Sequence, residues 1–202
     1  MSNPLIILAS GSPRRHELLL QLGIEHEILP VDIDEACLKE ESPEDCVERL
    51  ALEKARAAHD QNELALAIGS DTMVIIDDKI LGKPRDRADG LQMLECLSNR
   101  SHEVLTAVAV AGNGRELSCV QRSKVVFREL SFAEITAYWQ SGEPHDKAGG
   151  YAIQGIAAQF IERLEGSYSG VMGLPLYETA QLLRELDINP LDNDLEGKDQ
   201  LE

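Results

Sequence analysis

The chain is short of cations: 19 lysines and arginines face 36 aspartates and glutamates among 202 residues, a net charge of −17. A balance so acidic argues against loose attachment to nucleic acid polymers or to anionic membrane, both of which need a basic face. No stretch approaches the roughly 20 apolar residues that cross a bilayer, and the N-terminus shows neither a basic leader region nor a long apolar one. The expected location is the cytoplasm. The four cysteines, Cys37, Cys46, Cys96 and Cys119, include no C-x-x-C pair and no metal-like spacing. That pattern suits free structural thiols in a reducing compartment. Neither a Walker loop nor a dinucleotide fingerprint occurs, and there is no internal repeat or linker.

What is present is a chain long enough to bury a sizeable core, 43% hydrophobic and 27% charged. Its periodicities alternate strand and helix. Leu5 to Ala9 reads as a strand, Pro13 to Leu22 as a helix stopped by Gly23, and Glu25 to Leu29 as a second strand. Ser42-Pro43-Glu44-Asp45 opens a helix to about His59. The run Leu64 to Ile76 suggests a buried strand ending in a polar turn at Gly69 to Thr72, with another strand beyond it. Asp77-Asp78-Lys79 and Asn113-Gly114 read as hairpin turns, the latter joining strands Val104 to Ala111 and Leu117 to Phe127. A helix to about Leu97 follows Lys83-Pro84-Arg85-Asp86, and Ser131 to Glu134 is a capping box for another. Asp146 to Gly155 is glycine-rich, Ala157 to Arg163 reads as a strand, and Pro175 to Leu186 as the last helix. The fold class is α/β with a mixed sheet. Residues 187–202 hold six acids and one lysine and read as a frayed acidic tail.

Several residues sit where structure alone does not want them. Arg14 and Arg15 fall in the first turn of a helix, where the dipole makes each cation unfavourable by a few tenths to about 1 kcal/mol. With Ser10-Gly11-Ser12 before them they resemble an anion cradle, although solvated arginines on a surface helix explain this piece equally well. Lys54 lies within the apolar stripe Val47, Leu50, Ala51, Ala55, Ala58. Asp71 follows an apolar strand, a position from which a carboxylate can enter a ligand crevice, though Asp after Gly-Ser commonly just closes a turn. Lys83 and Lys147 taken singly are ordinary loop lysines. Taken together with acids near Glu35, these residues form the set that phosphoanhydride cleavage requires.

The motifs ASGSPRR (Ala9 to Arg15), EKA (Glu53 to Ala55), GSDT (Gly69 to Thr72), KPRD (Lys83 to Asp86), DKAGGYAIQG (Asp146 to Gly155) and GSYSGVMGLP (Gly166 to Pro175) resemble the Maf family of nucleotide pyrophosphatases. The resemblance covers 1–186 as one domain, implies an elongated mixed sheet with two lobes around a cleft, and leaves 187–202 outside. It implies hydrolysis of nucleoside triphosphates to a monophosphate and pyrophosphate with a divalent cation, Mg2+ or Mn2+. Asp71 matches the catalytic proton acceptor, with Lys54, Lys83 and Glu35 in the catalytic set. Ser10, Arg15 and Lys147 fall on substrate-binding positions, and Asp71 and Glu35 on metal-binding ones.

Three positions that divide the family by base hold Arg14, Thr72 and Gln154, the pattern of the branch acting on dTTP and UTP. A carboxamide can accept from the ring N–H of thymine or uracil while donating to a neighbouring carbonyl. Because an amide can flip, CTP stays open. A housecleaning enzyme for modified nucleotides and a nucleotide-binding regulator of septum formation are the alternatives. The resemblance also allows a homodimer.

Overall fold

The structure is a computed structural model and describes residues 4–191. Seven strands form one mixed sheet in the order β2-β1-β3-β5-β6-β7, with β4 paired to β3. The strands are β1 Ile6–Leu8, β2 Glu27–Ile28, β3 Leu66–Ile76, β4 Lys79–Leu81, β5 Ser101–Gly112, β6 Arg115–Phe127 and β7 Ile161–Glu165. Six helices accompany them: α1 Pro13–Gln21, α2 Pro43–His59, α3 Arg87–Leu97, α4 Phe132–Gln140, α5 Tyr168–Met172 and α6 Leu176–Glu185. β1 runs parallel to both β2 and β3, whereas β4 on β3 and β7 on β6 are antiparallel. The expected α/β class with a mixed sheet is what forms.

Contacts divide the chain into two compact units, Met1–Asp71 with Thr106–Val120 and Gly173–Glu202, and Thr72–Leu105 with Gln121–Met172. The division falls within β3, β5 and β6. In the first unit β1 is wholly buried, and Ile7 and Ala9 pack with Ala58 of α2, Ala65 just before β3 and Ala67 within it. In the second, Phe127, Leu94, Leu97, Ile135, Tyr138, Tyr151 and Phe160 belong to one apolar cluster. There α3 meets α4 closely enough that a Cβ at Gly90 would lie 2.0 Å from the Trp139 ring.

Both hairpins expected from turn chemistry are present. Asp77 and Asp78 take φ of 50° and 60°, and Asn113 and Gly114 of 53° and 69°, the left-handed pairs that two-residue hairpins require. The capping box also forms, with the Ser131 hydroxyl accepting from the Glu134 N–H and the Glu134 carboxylate accepting from the Ser131 N–H.

Two expectations are overturned. β3 runs unbroken from Leu66 to Ile76, with no turn at Gly69 to Thr72. Gly69 serves close approach rather than reversal, because a Cβ there would lie 2.1 Å from the Ala51 carbonyl oxygen and 2.6 Å from the Ala55 nitrogen of α2. Asp71 therefore stands within a strand and not at its end. Residues Ile156–Phe160 form a 3₁₀ turn, so β7 begins only at Ile161. Of the expected acidic tail, Ile188 is buried and its N–H donates to the Leu183 carbonyl, while 192–202 lie outside the described residues.

Candidate active site

The first unit brings Glu35, Lys54 and Asp71 together. Lys54 lies on the buried face of α2, only 6% exposed, as its place in the apolar stripe implied. Burying an ammonium without partners is prohibitive, and here it has two. Its Nζ lies 2.7 Å from Asp71 Oδ1 and 2.6 Å from Glu35 Oε1. The Asp71 carboxylate is mostly buried, with its side chain 14% exposed, and the Glu35 side chain is 59% exposed. Two carboxylates against one ammonium leave the trio at net −1, and the Arg15 guanidinium interacts electrostatically with both carboxylates. Hard oxygen donors of this kind suit divalent cations such as Mg2+ or Mn2+.

The start of α1 lies in the same unit. Pro13 fills the first helical position, Ser12 makes no side-chain cap bond, and no acid stands in the first turn. Ser10 Oγ accepts from the Ser12 N–H at 3.2 Å and from Arg15 Nη1 at 3.2 Å, and Arg15 Nε donates to the Gly173 carbonyl at 2.8 Å. Burial pushes the Arg15 pKa below its ordinary value; Asp71 raises it, Arg14 lowers it further and Glu35 raises it. The guanidinium stays charged at any working pH, so the cause matters more than the shift: a cation stripped of water favours a nearby anion.

Gly173 and Ser70 were not singled out from sequence. The Ser70 hydroxyl, fully buried, lies 2.7 Å from the Ala107 carbonyl oxygen and 2.9 Å from that of Gly173, the atom Arg15 also uses. Its membership of the GSDT run was the one available signal. Nothing in a sequence marks a carbonyl.

The remaining residues belong to the second unit. Thr72 follows Asp71 directly in β3 and is partly buried. Lys83 and Lys147 come from loops that touch, since the Gly149 N–H donates to the Gly82 carbonyl at 3.0 Å. Gly149, at φ of 68°, leaves no room for a side chain beside Val74. Lys147 is paired with its neighbour Asp146, and Lys83 is exposed. Gln154 is exposed between buried Ala152 and Ile153 on one side and buried Ala157 on the other.

The cysteines depart from expectation. Cys37 and Cys46 form a disulfide, while Cys96 and Cys119 are free. A pairing across nine residues, between a loop and a helix start, depends on the 5.4 Å approach of their Cα atoms, which spacing alone does not announce. Ligand atoms of Cys37, Glu41 and Cys46 lie within 4.8 Å of one another, the geometry of a metal-chelating cluster. In the bonded state the two sulfurs are not thiolates, and Arg49 holds both oxygens of Glu41 at 2.7 and 2.9 Å, which keeps its pKa down at about 2. Among the described residues no helix is long and apolar enough to cross a membrane.

An α/β architecture that sets arginines at an uncapped helix start and a buried lysine between two carboxylates defines a protein suited to handling phosphate esters. The chain belongs to the Maf family: the family model described as Maf-like protein matches residues 5–186. A protein of Alkalilimnicola ehrlichii named dTTP/UTP pyrophosphatase is 54% identical over 192 residues, covering 92% of this chain and 95% of its own. Proteins of the same name from Pseudoalteromonas translucida and Vibrio parahaemolyticus are 53% and 50% identical, each over 89% of this chain and 95% and 96% of their own.

Proposed function

We propose that the chain is a dTTP/UTP pyrophosphatase that hydrolyses the bond between the α and β phosphates, releasing the nucleoside monophosphate and pyrophosphate. The buried Lys54 joined to Asp71 and Glu35 carries this reading, because it is the arrangement a purely structural protein would replace with apolar residues at little loss. The name shared by its relatives supplies the substrate pair.

Asp71 accepts the proton of the water whose oxygen bonds to the α-phosphorus, and the bridging oxygen departs with pyrophosphate. Lys54 holds that carboxylate by its 2.7 Å bond. Arg15, Ser10 and the N-terminal end of α1 hold phosphate oxygens, a task for which guanidinium forks and helix N-termini are both suited. Lys83 and Lys147 add positive charge against the same polyanion. A divalent cation on Asp71 and Glu35 would neutralise phosphate charge as the leaving group develops its own. Arg14, Thr72 and Gln154 read the base. The reading carries a cytoplasmic location with it, where these nucleotides are made, and it needs no partner beyond the substrate, with a homodimer compatible.

Steady-state rates on dTTP, UTP, CTP, GTP and 7-methyl-GTP, with pyrophosphate detected as product, test it together with Asp71→Asn. dTTP and UTP should lead the panel. Asp71→Asn should lower turnover by on the order of 10²–10⁴-fold with its circular dichroism unchanged, since an amide can neither take the proton nor serve as an anionic ligand. Near-native turnover in the folded variant, a preference for 7-methyl-GTP, or binding without turnover in the wild type would each overturn the proposal.

A further inference from the structure

Resting on the reading of Gln154 as a contact to the base, we infer that Tyr138 and Glu143 are positioning residues for base selection, a phenol–carboxylate relay that holds both ends of the turn on which Gln154 stands. Both residues lie outside every motif that carries the family resemblance. The Tyr138 hydroxyl accepts from the Ala152 N–H at 3.3 Å and donates to Glu143 Oε1 at 2.8 Å. The other side of that carboxylate accepts from the Ile156 N–H at 2.9 Å through Oε2, and Oε1 also accepts from the Ala157 N–H at 3.3 Å. One carboxylate and one phenol therefore gather three backbone N–H groups from the two ends of Ala152 to Ala157, with Gln154 in the middle.

Further observations show that the turn is built around the relay. The Gly155 N–H closes it on the Ala152 carbonyl at 3.0 Å. A Cβ at Gly155 would lie 2.2 Å from Glu143 Oε2, so the carboxylate fills the space that any other residue would need. Tyr138 is 3% exposed, and burial together with Glu143 pushes its phenol pKa well up, so it remains a proton donor at every working pH. Behind the turn, buried His102 Nε2 lies 2.8 Å from the Tyr151 hydroxyl and fixes the preceding residue. Within the turn Gln154, Ile156 and no buried group face outward, so the relay grips the backbone and leaves the carboxamide for a ligand.

A carboxamide that discriminates bases must present its oxygen and nitrogen in a set direction, and that direction is inherited from its backbone. Losing the relay should loosen the turn and weaken discrimination while the chemistry at Asp71 continues. Tyr138→Phe keeps the ring and removes the two bonds of the phenol, and Glu143→Gln keeps the shape and replaces one acceptor oxygen by a donor. Each should raise KM for dTTP and UTP by about tenfold and cut their preference over GTP by a similar factor, with the loss falling on KM rather than kcat. Thermal melts and circular dichroism identify folded variants, and either one suffices.

Coupling to Gln154 is the readout that a general structural role would not move. If the relay acts through Gln154, Tyr138→Phe added to Gln154→Ala should lower dTTP preference no further than Gln154→Ala alone. Additive losses, or an unchanged dTTP to GTP ratio in both folded relay variants while Gln154→Ala loses it, would overturn the relay and leave the reading of Gln154 standing. A Gln154→Ala variant that keeps its full preference would instead remove the base-reading role on which the relay rests.

Discussion

Helices α1 and α2 both open on Ser-Pro, Ser12-Pro13 and Ser42-Pro43, and treat their free N–H groups in opposite ways. At α2 the Ser42 hydroxyl accepts from the Asp45 N–H at 3.1 Å, and Glu44 and Asp45 supply negative charge to the first turn. That start is complete within the chain. At α1 the Ser12 side chain caps nothing, the first turn holds Arg14 and Arg15, and Ser10 Oγ accepts from the Ser12 N–H and from Arg15. Identical dipeptides thus begin one helix that is finished by its own side chains and one whose first turn holds two arginines and no acid. The difference lies in the two residues after the proline, acids in one case and arginines in the other.

The comparison is broken most directly at Arg15. Arg15→Ala should weaken triphosphate binding by about 10- to 100-fold, the range expected for losing charge-assisted hydrogen bonds to phosphate. Calorimetric titration in the Asp71→Asn background measures this without turnover, and unchanged affinity would make Arg15 an ordinary structural arginine. The bond from Arg15 to Gly173 also gives it a structural share, so the ligand-free protein should lose about 1 to 2 kcal/mol. Arg14→Ala, by contrast, should leave the ligand-free melting temperature the same or slightly higher, because it removes a cation from the positive end of a helix.

The two caps sharpen it next. Ser42→Ala should destabilise the ligand-free protein by about 1 kcal/mol, and Ser12→Ala by only a few tenths, since one hydroxyl caps and the other does not. Thermal or denaturant unfolding of the pair reads the difference; equal losses would erase the contrast. The smallest effect is one of pH. At the start of α4, bonds from Arg128, then from the N–H and hydroxyl of Ser131, hold the Glu134 carboxyl down at about 2 from an ordinary 4.5. A carboxylate with a depressed folded pKa contributes stability that is full above about 4.5 and lost as pH falls toward about 2. Glu134→Gln should flatten the melting profile in that window, while no such term arises at α1, whose first turn has no acid.

Where local chemistry sets the structure, the sequence is enough to read it. Ser131 with Glu134, Asn113-Gly114 and Asp77-Asp78 each encode a cap or turn within four residues, and each forms as read. Lys54 was legible as a charge out of register with its helix face, and its burial bears that out. What could not be read depends on partners outside such local runs. Gly69 reads as a turn because the helix residues it faces, Ala55 and Ala51, stand 14 and 18 positions before it, and the Gly173 carbonyl that Arg15 and Ser70 share carries no residue-type signature. The partners of the Cys37–Cys46 bond and of the Tyr138–Glu143 pair are only nine and five residues apart, and they escape a sequence reading because each is defined by who stands opposite.

Gly69 also acts as a gauge. It lies two residues before Asp71 on β3, hence on the same face, and it touches the turn of α2 from Ala51 to Ala55 that carries Lys54. The approach of helix to strand therefore leaves room for a hydrogen atom at position 69 and none for a methyl group, and the 2.7 Å contact from ammonium to carboxylate is made across that same approach. A single methyl group at position 69 would wedge the two elements apart and lengthen the reach, without altering any charge. The tolerance of this site is thus narrowest at a residue that has no side chain to take part in it.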